Sequence, residues 1–119
     1  GVDVKTLSSM LGHYSAGFTL DTYTHATMKM QIEAARNLVY KAACKKQEGK
    51  PFTVDAAIAK RVASDVAMRV TTEAVQIFGG YGYSEEYPVA RHMRDAKITQ
   101  IYEGTNEVQL MVTGGALLR

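Results

Sequence analysis

Two long amphipathic helical patterns, separated by a short glycine and proline turn, constrain this chain more than any other feature of its sequence. Apolar residues recur at helical spacing over residues 28–46, and again over residues 53–78. The connection contains Gly49, which favours a helix end, and Pro51, which cannot continue a helix. We therefore expect two antiparallel helices that bury their apolar stripes against each other.

Capping and turn residues predict the remaining helices. Thr53 is a good N-cap for the second long helix, with Asp55 in the positive first turn. A glycine-rich loop at residues 79–84 ends that helix, and Pro88 marks the start of the next one. Thr105 can cap a last helix. These signals predict a bundle of helices joined by short loops.

The first part of the chain has weaker patterns. Residues 4–11 could form a short helix, and residues 12–27 have mixed local preference, so we treat them as loop or weak helix. The sequence has no internal repeat and no low-complexity tract. The predicted fold is all-α, an up-down helical bundle with a short extra N-terminal helix.

Composition narrows the functional classes. The chain has 119 residues, 14 basic and 12 acidic side chains and a net charge of +2, so no strong field predicts a nucleic-acid or membrane partner. No apolar run is long enough to span a bilayer, and a cytoplasmic location follows by default. The single Cys44 is most simply a small buried residue of a reducing compartment. With no histidine cluster at metal spacing, we expect no metal site.

Two segments could carry chemistry. Near residues 76–82, three glycines at a helix end would let backbone N–H groups approach a pyrophosphate, although a plain helix C-cap is favoured from this pattern alone. Glu103 lies beside Gly104, between an apolar segment and a helix start, where a carboxylate could act as a general base. From position alone, an exposed and solvated glutamate is favoured.

Residues 28–119 carry three motifs in order, and through them this part of the chain resembles the C-terminal helical domain of acyl-CoA dehydrogenases, most closely the bacterial butyryl-CoA dehydrogenases. The motifs are Gln76-x-x-Gly79-Gly80-x-Gly82, Arg91-x-x-Arg94-Asp95 and Ile98-x-x-Ile101-Tyr102-Glu103-Gly104-Thr105.

The resemblance implies roles for the last of these motifs. Glu103 would be the catalytic base that removes the α-proton of an acyl-CoA thioester, and its backbone N–H would polarise the thioester carbonyl. Tyr102 and Gly104 would bind the substrate, with Tyr102 lining the acyl pocket. Thr105 would contact the flavin of FAD.

The first motif implies a second part of the cofactor site. Gln76, Gly79 and Gly80 match positions that contact the adenine dinucleotide part of FAD held mainly by a neighbouring subunit, so the resemblance implies a homo-oligomer. The chain departs from many relatives at Leu110, where a basic residue is common, and a CoA contact there is not expected.

Residues 1–27 do not fit this pattern and instead resemble the C-terminal end of tyrosine recombinases. Leu11-Gly12-His13 is followed ten residues after His13 by Tyr23. The resemblance implies that His13 is the active-site histidine and Tyr23 the nucleophile that bonds to DNA. The arginines and the lysine of that family's site are absent from this chain, so we do not expect strand cleavage or a nucleic-acid partner.

Three functional readings follow. Because the chain lacks the N-terminal helical domain and the middle β domain of the family that it resembles, we interpret it as a chimera or fusion remnant, with a recombinase tail joined near residues 26–28 to a truncated dehydrogenase. The first reading is part of a short-chain, FAD-dependent acyl-CoA dehydrogenase that is inactive alone. The second is a non-catalytic helical self-association module. The third is a recombinase tail in DNA strand transfer.

Overall fold

A computed structural model describes the backbone of residues 16–119 and the side chains of residues 27–119. Within this range the chain forms five helices and no strand. They are α1 (Ala16–Gln47), α2 (Thr53–Phe78), the single turn α3 (Gly80–Tyr83), α4 (Val89–Thr99) and α5 (Asn106–Leu117). The predicted all-α fold is confirmed. Residues 32–119 form one compact unit, the larger of the two into which the chain divides.

Helix α2 is the centre of the larger unit, because α3, α4 and α5 all pack against it. The buried apolar residues of this unit are small, which lets helix axes approach closely. They are Ala35, Ala42, Ala57, Ala59, Ala90 and Ala96. Most large apolar side chains, by contrast, keep part of their surface in solvent.

The turn between α1 and α2 forms as its glycine predicts. Gly49 has a φ of 71°, its N–H donates to the Lys46 carbonyl at 3.2 Å, and the Lys50 N–H donates to the Lys45 carbonyl at 2.9 Å. This pair of hydrogen bonds is a Schellman cap, which needs a left-handed residue at that position and therefore favours glycine.

An ion-pair cluster joins the end of α1 to the start of α2. Lys45 Nζ lies 2.7 Å from Asp55 Oδ2, and Lys41 Nζ lies 3.4 Å from Asp55 Oδ1. The hydrogen bond from Lys45 is the main reason why the pKa of Asp55 is lowered from its ordinary value of 3.8. The Asp55 side chain is 17% exposed, so solvent screens this cluster incompletely.

The start of α2 corrects one expectation. Thr53 is the first helical residue and not the cap, which is Phe52, and no side chain caps this end. The Phe52 carbonyl already accepts a hydrogen bond from the Ala56 N–H at 2.8 Å, so the helix begins one residue earlier than the threonine predicted.

The structure differs from three other predictions. The backbone is helical from Ala16, so most of residues 12–27 is helix, whereas the proposed helix over residues 4–11 lies outside the described residues. The loop after α2 contains the helical turn α3. Cys44 is exposed and not buried, because it follows the buried Ala42 by two positions and so lies on the opposite face of α1.

Among the described residues, no helix is both long and apolar enough to cross a bilayer.

Candidate active site

The segment between α4 and α5 is a loop whose two ends are fastened to each other and to α2. The Asn106 N–H donates to the Gln100 carbonyl at 3.0 Å, which closes the loop. The side-chain amides of both residues then donate to the same atom, Asp65 Oδ1, each at 2.8 Å. One carboxylate on α2 therefore fixes both ends of the segment that carries Glu103.

The backbone inside this loop is left-handed at two consecutive residues. Glu103 has a φ of 54° and Gly104 a φ of 86°. Within the described part of the chain, Glu103 is the one residue other than glycine with a positive φ. This conformation costs an L-residue roughly 1–2 kcal/mol. Such strain persists only where surrounding contacts hold it, and it is common at functional sites.

Two side chains hold the carbonyls of the strained residues. Lys60 Nζ donates to the Gly104 carbonyl at 2.9 Å. Gln109 Nε2 donates to the same carbonyl at 3.1 Å and to that of Glu103 at 3.3 Å. Both carbonyls are therefore held from within the chain, by α2 on one side and by α5 on the other.

A buried polar cluster lies directly beneath the loop. Asn106 is 9% exposed and Ser64 is 5% exposed. Asn106 Oδ1 accepts a 2.7 Å hydrogen bond from Lys60 Nζ, and Asn106 Nδ2 donates to Ser64 Oγ and Asp65 Oδ1, both at 2.8 Å. Ser64 in turn donates to the Lys60 carbonyl one turn back on α2, at 2.7 Å. These bonds satisfy both ends of the buried amide.

The sequence pattern does not predict this cluster, which we name the loop clamp: Lys60, Ser64, Asp65, Gln100 and Asn106. A signal was present on α2, because Lys60 and Ser64 are polar residues one turn apart in a largely apolar helix. Their partners are 42 to 46 residues later in the chain, so helical periodicity could not reveal them.

The predicted catalytic and substrate residues lie together on the exposed side of the loop. Glu103 and Gly104 are exposed, and Tyr102 is 51% exposed. Among the described residues, nothing pairs with the Glu103 carboxylate or accepts its backbone N–H. One residue therefore presents both an unpaired carboxylate and an unused N–H donor.

Thr105 caps α5, as its sequence position predicts. Its hydroxyl oxygen accepts a hydrogen bond from the Val108 N–H at 3.3 Å. No described residue takes the proton of this hydroxyl. Thr105 can therefore donate to another group while it stabilises the start of the helix.

The other predicted cofactor residues lie at the far end of α2. Gly79 follows the helix with φ 63° and ψ −144°, a conformation open essentially to glycine alone. A Cβ added at Gly79 or Gly80 would meet nothing within 4 Å, and Gln76 is exposed, so a large group could approach this backbone. Along α2, Gln76 lies roughly 24 Å from Lys60, at about 1.5 Å per residue. The two sets of predicted cofactor residues do not form one pocket on this chain.

The side chains of the two recombinase-like residues lie outside the described structure. His13 lies outside the described residues, and Tyr23 lies in the described backbone of α1 with its side chain outside that description. In the part of the chain that is described, no three His, Cys, Asp or Glu side chains come together as a group able to hold a metal ion.

Comparison with known proteins identifies relatives over most of the chain. The family model for the acyl-CoA dehydrogenase C-terminal domain matches residues 18–118. The short-chain specific acyl-CoA dehydrogenase of Megasphaera elsdenii is 99% identical over 94 residues, which are 79% of this chain and 24% of that protein. The mitochondrial short-chain specific enzyme of Bos taurus is 51% identical over 94 residues, again 79% of this chain and 23% of that protein.

A solved structure gives the same result in three dimensions. The butyryl-CoA dehydrogenase of Megasphaera elsdenii matches with a TM-score of 0.80 and 95% identity, over 82% of this chain and 26% of that one. The chain thus spans about a quarter of the length of these relatives. The interpretation of residues 1–27 as a recombinase tail stays a prediction. The chain belongs to the acyl-CoA dehydrogenase family, and residues 18–118 match the C-terminal domain of that family.

Proposed function

We propose that this chain supplies the base-bearing part of a short-chain acyl-CoA dehydrogenase, with Glu103 as the base that removes the α-proton of the acyl thioester. The observation that carries the proposal is the left-handed backbone of Glu103, held in place while its carboxylate is exposed and unpaired within the described structure. A strained residue whose ionisable group has no structural partner is better explained by chemistry than by packing.

Glu103 would contribute to the reaction in two ways. Its N–H would donate to the thioester carbonyl and stabilise the negative charge that develops there as the α-carbon loses its proton. Its carboxylate would accept that proton, so the α C–H bond breaks and an O–H bond forms on the base. FAD, when bound, would take the β-hydrogen with its electron pair, which leaves a trans-2-enoyl-CoA. Tyr102 and Gly104, on either side of the base, would contact the substrate.

The residues proposed to contact FAD fit a large anionic cofactor. Gly79 and Gly80 leave the backbone open, Gln76 offers an exposed amide, and Thr105 retains a hydroxyl donor. Lys60, which holds the loop beside Thr105, lies roughly 24 Å from Gln76 along α2, at about 1.5 Å per residue, so we propose that the two groups serve different FAD molecules. Gln76, Gly79 and Gly80 would then contact the cofactor of a neighbouring subunit, in a homo-oligomer.

A second candidate function is helical self-association without catalysis. Many large apolar side chains of the compact unit are exposed, which favours association with another surface. They include Ile77, Phe78, Tyr81, Tyr83, Met111, Leu117 and Leu118.

Residues 1–119 span about a quarter of the relatives' length, so we also propose that these residues alone do not turn over substrate.

A hybrid enzyme tests the proposal directly. Residues 32–119 of this chain would replace the corresponding segment of the full-length Megasphaera elsdenii enzyme, and oxidation of butyryl-CoA would be measured with an artificial electron acceptor. We expect Glu103→Gln to lower turnover by about 10²- to 10⁴-fold, the usual contribution of a general base. Glu107→Gln is the matched control, because Glu107 is an exposed glutamate in the first turn of α5. Turnover that survives Glu103→Gln would refute the assignment.

A further inference from the structure

We propose that Asn106 is a positioning residue, which acts through the loop clamp to hold the Glu103 backbone in its left-handed conformation. The inference rests on the proposed function of Glu103 as the base. Asn106 does not contact the Glu103 carboxylate, and its effect passes through the backbone of the loop that it closes.

The neighbours of the Asn106 amide fix its orientation. Its oxygen accepts from the Lys60 ammonium at 2.7 Å, and its nitrogen donates to the Asp65 carboxylate at 2.8 Å. The amide therefore lies between a cation and an anion, and reversing it would place like polarity against each of them. Asn106 itself is 9% exposed, so both hydrogen bonds are partly buried, although the Asp65 side chain is 46% exposed.

The Lys60 ammonium that contacts Asn106 also holds the strained residues of the loop. Lys60 Nζ donates to Asn106 Oδ1 and to the Gly104 carbonyl at 2.9 Å, so the orientation of Asn106 fixes the position of the ammonium that holds the loop. The left-handed conformation at Glu103 costs roughly 1–2 kcal/mol and needs such contacts to persist. Without the clamp, we expect the loop to relax.

Position 106 requires asparagine because its side chain must both accept and donate a hydrogen bond. Aspartate has the same shape, but it cannot donate to Asp65 and would place a second carboxylate beside it. Leucine would leave the Lys60 and Asp65 groups without their buried partner. The clamp therefore needs an acceptor and a donor on one short side chain, which only the amide of asparagine supplies at this length.

Nuclear magnetic resonance on the 119-residue chain tests whether the loop clamp holds the Glu103 backbone in its left-handed conformation. Asn106→Asp and Lys60→Met should shift the Glu103 HN–Hα coupling and carbon shifts away from left-handed values. They should also speed exchange of the backbone amide at position 106, whose N–H closes the loop on the Gln100 carbonyl, by about tenfold or more. Lys60→Arg, which keeps a cationic donor, should retain most of the native signature. Lys50→Met is the matched control, because Lys50 is an exposed lysine paired with Glu48. A native Glu103 signature in both clamp variants would overturn the proposal.

Kinetics in the hybrid enzyme separate positioning from general structural damage. Asn106→Asp and Lys60→Met should lower kcat by about ten- to hundredfold, because a misplaced base costs rate, while KM changes by less than about twofold. Lys60→Arg should restore part of kcat. An unchanged kcat, or a KM that rises as much as kcat falls, would overturn the positioning role.

The two proposals fail in different measurements. If Glu103→Gln leaves turnover intact, the assignment of the base is wrong, whatever the clamp variants do. If Glu103→Gln abolishes turnover while the clamp variants keep the native kcat, the base assignment stands and the role of Asn106 is refuted.

Discussion

Lys60 Nζ donates a 2.7 Å hydrogen bond to Asn106 Oδ1 and so joins two residues that are 46 positions apart in the sequence. The bond links the N-terminal third of α2 to the start of α5, directly beneath the strained loop. Helix α2 therefore has two roles, since its apolar residues pack the bundle while its polar residues hold the loop that carries Glu103. Stability and site geometry are coupled through one helix.

Gly104, the one glycine of the loop between α4 and α5, should not tolerate substitution. Gly104→Ala would place an L-residue at a φ of 86° and a Cβ 2.8 Å from Gln109 Nε2. We expect the free energy of unfolding to fall by roughly 1–2 kcal/mol, the cost of a left-handed L-residue. Urea unfolding followed by circular dichroism would measure it.

A second glycine provides the control for this substitution. Gly114 lies within helix α5, and a Cβ there would meet nothing within 4 Å. Gly114→Ala should therefore stabilise the chain by roughly 0.5–1 kcal/mol, because alanine loses less entropy in a helix than glycine does. Equal effects at Gly104 and Gly114 would contradict the conformational argument.

Two glycines of the turn after α2 should respond differently to alanine substitution, because one is closely packed and the other is not. A Cβ at Gly82 would lie 2.6 Å from the Val75 carbonyl oxygen and 2.7 Å from Phe78 Cβ, whereas one at Gly80 would meet nothing within 4 Å. Gly82→Ala should cost roughly 1–3 kcal/mol of unfolding free energy, as overpacking does. Gly80→Ala should stay within about 0.5 kcal/mol. Thermal unfolding of the two variants checks the difference, and a destabilised Gly80→Ala would contradict it.

Local chemistry explains which parts of the fold the sequence predicts. Gly49 must adopt a positive φ to complete the helix cap, and Thr105 caps with its own hydroxyl, so each is recognisable from its neighbours in the chain. The predictions that Cys44 is buried and that Thr53 caps α2 were wrong. Burial and helix start depend on which face packs and which carbonyl bonds first, and neither is fixed by residue type.

Long-range contacts explain what the sequence left out. The motif around Glu103 predicts a base at that position, but nothing near it in sequence indicates that Lys60 and Asp65 hold the loop. Such contacts exist only once α5 packs on α2. The left-handed φ of Glu103 was equally hidden, because glutamate has no preference for that conformation.

The exposed apolar residues predict self-association of the 119-residue chain. Phe78 and Tyr81 each pack edge to face on Tyr87, with ring centroids 5.7 and 5.9 Å apart, yet all three rings remain exposed. Burial of such surface is favourable by about 25 cal/mol per Å². Sedimentation should therefore give a mass above 13.0 kDa that rises with concentration. A monomer at high concentration would contradict the expectation.

The ion-pair cluster at the start of α2 predicts a specific dependence of stability on pH. Because the hydrogen bond from Lys45 lowers the pKa of Asp55 below its ordinary value of 3.8, the folded chain holds the ionised form more tightly than the unfolded chain does. The resulting stabilisation is present above pH 3.8 and is lost as the pH falls through the lower, folded-state pKa. Asp55→Asn should therefore destabilise the chain at pH 7, and the difference from the parent chain should shrink below about pH 4.

A charge-matched substitution distinguishes this local effect from a change in net charge. Glu48→Gln also removes one negative charge, but Glu48 and its partner Lys50 are both exposed, and such pairs contribute little to stability. Urea unfolding from pH 2 to pH 7 should give a stability difference that depends on pH for Asp55→Asn and an almost flat one for Glu48→Gln. Parallel curves for the two variants would mean that overall charge governs the pH dependence, and not the contact between Lys45 and Asp55.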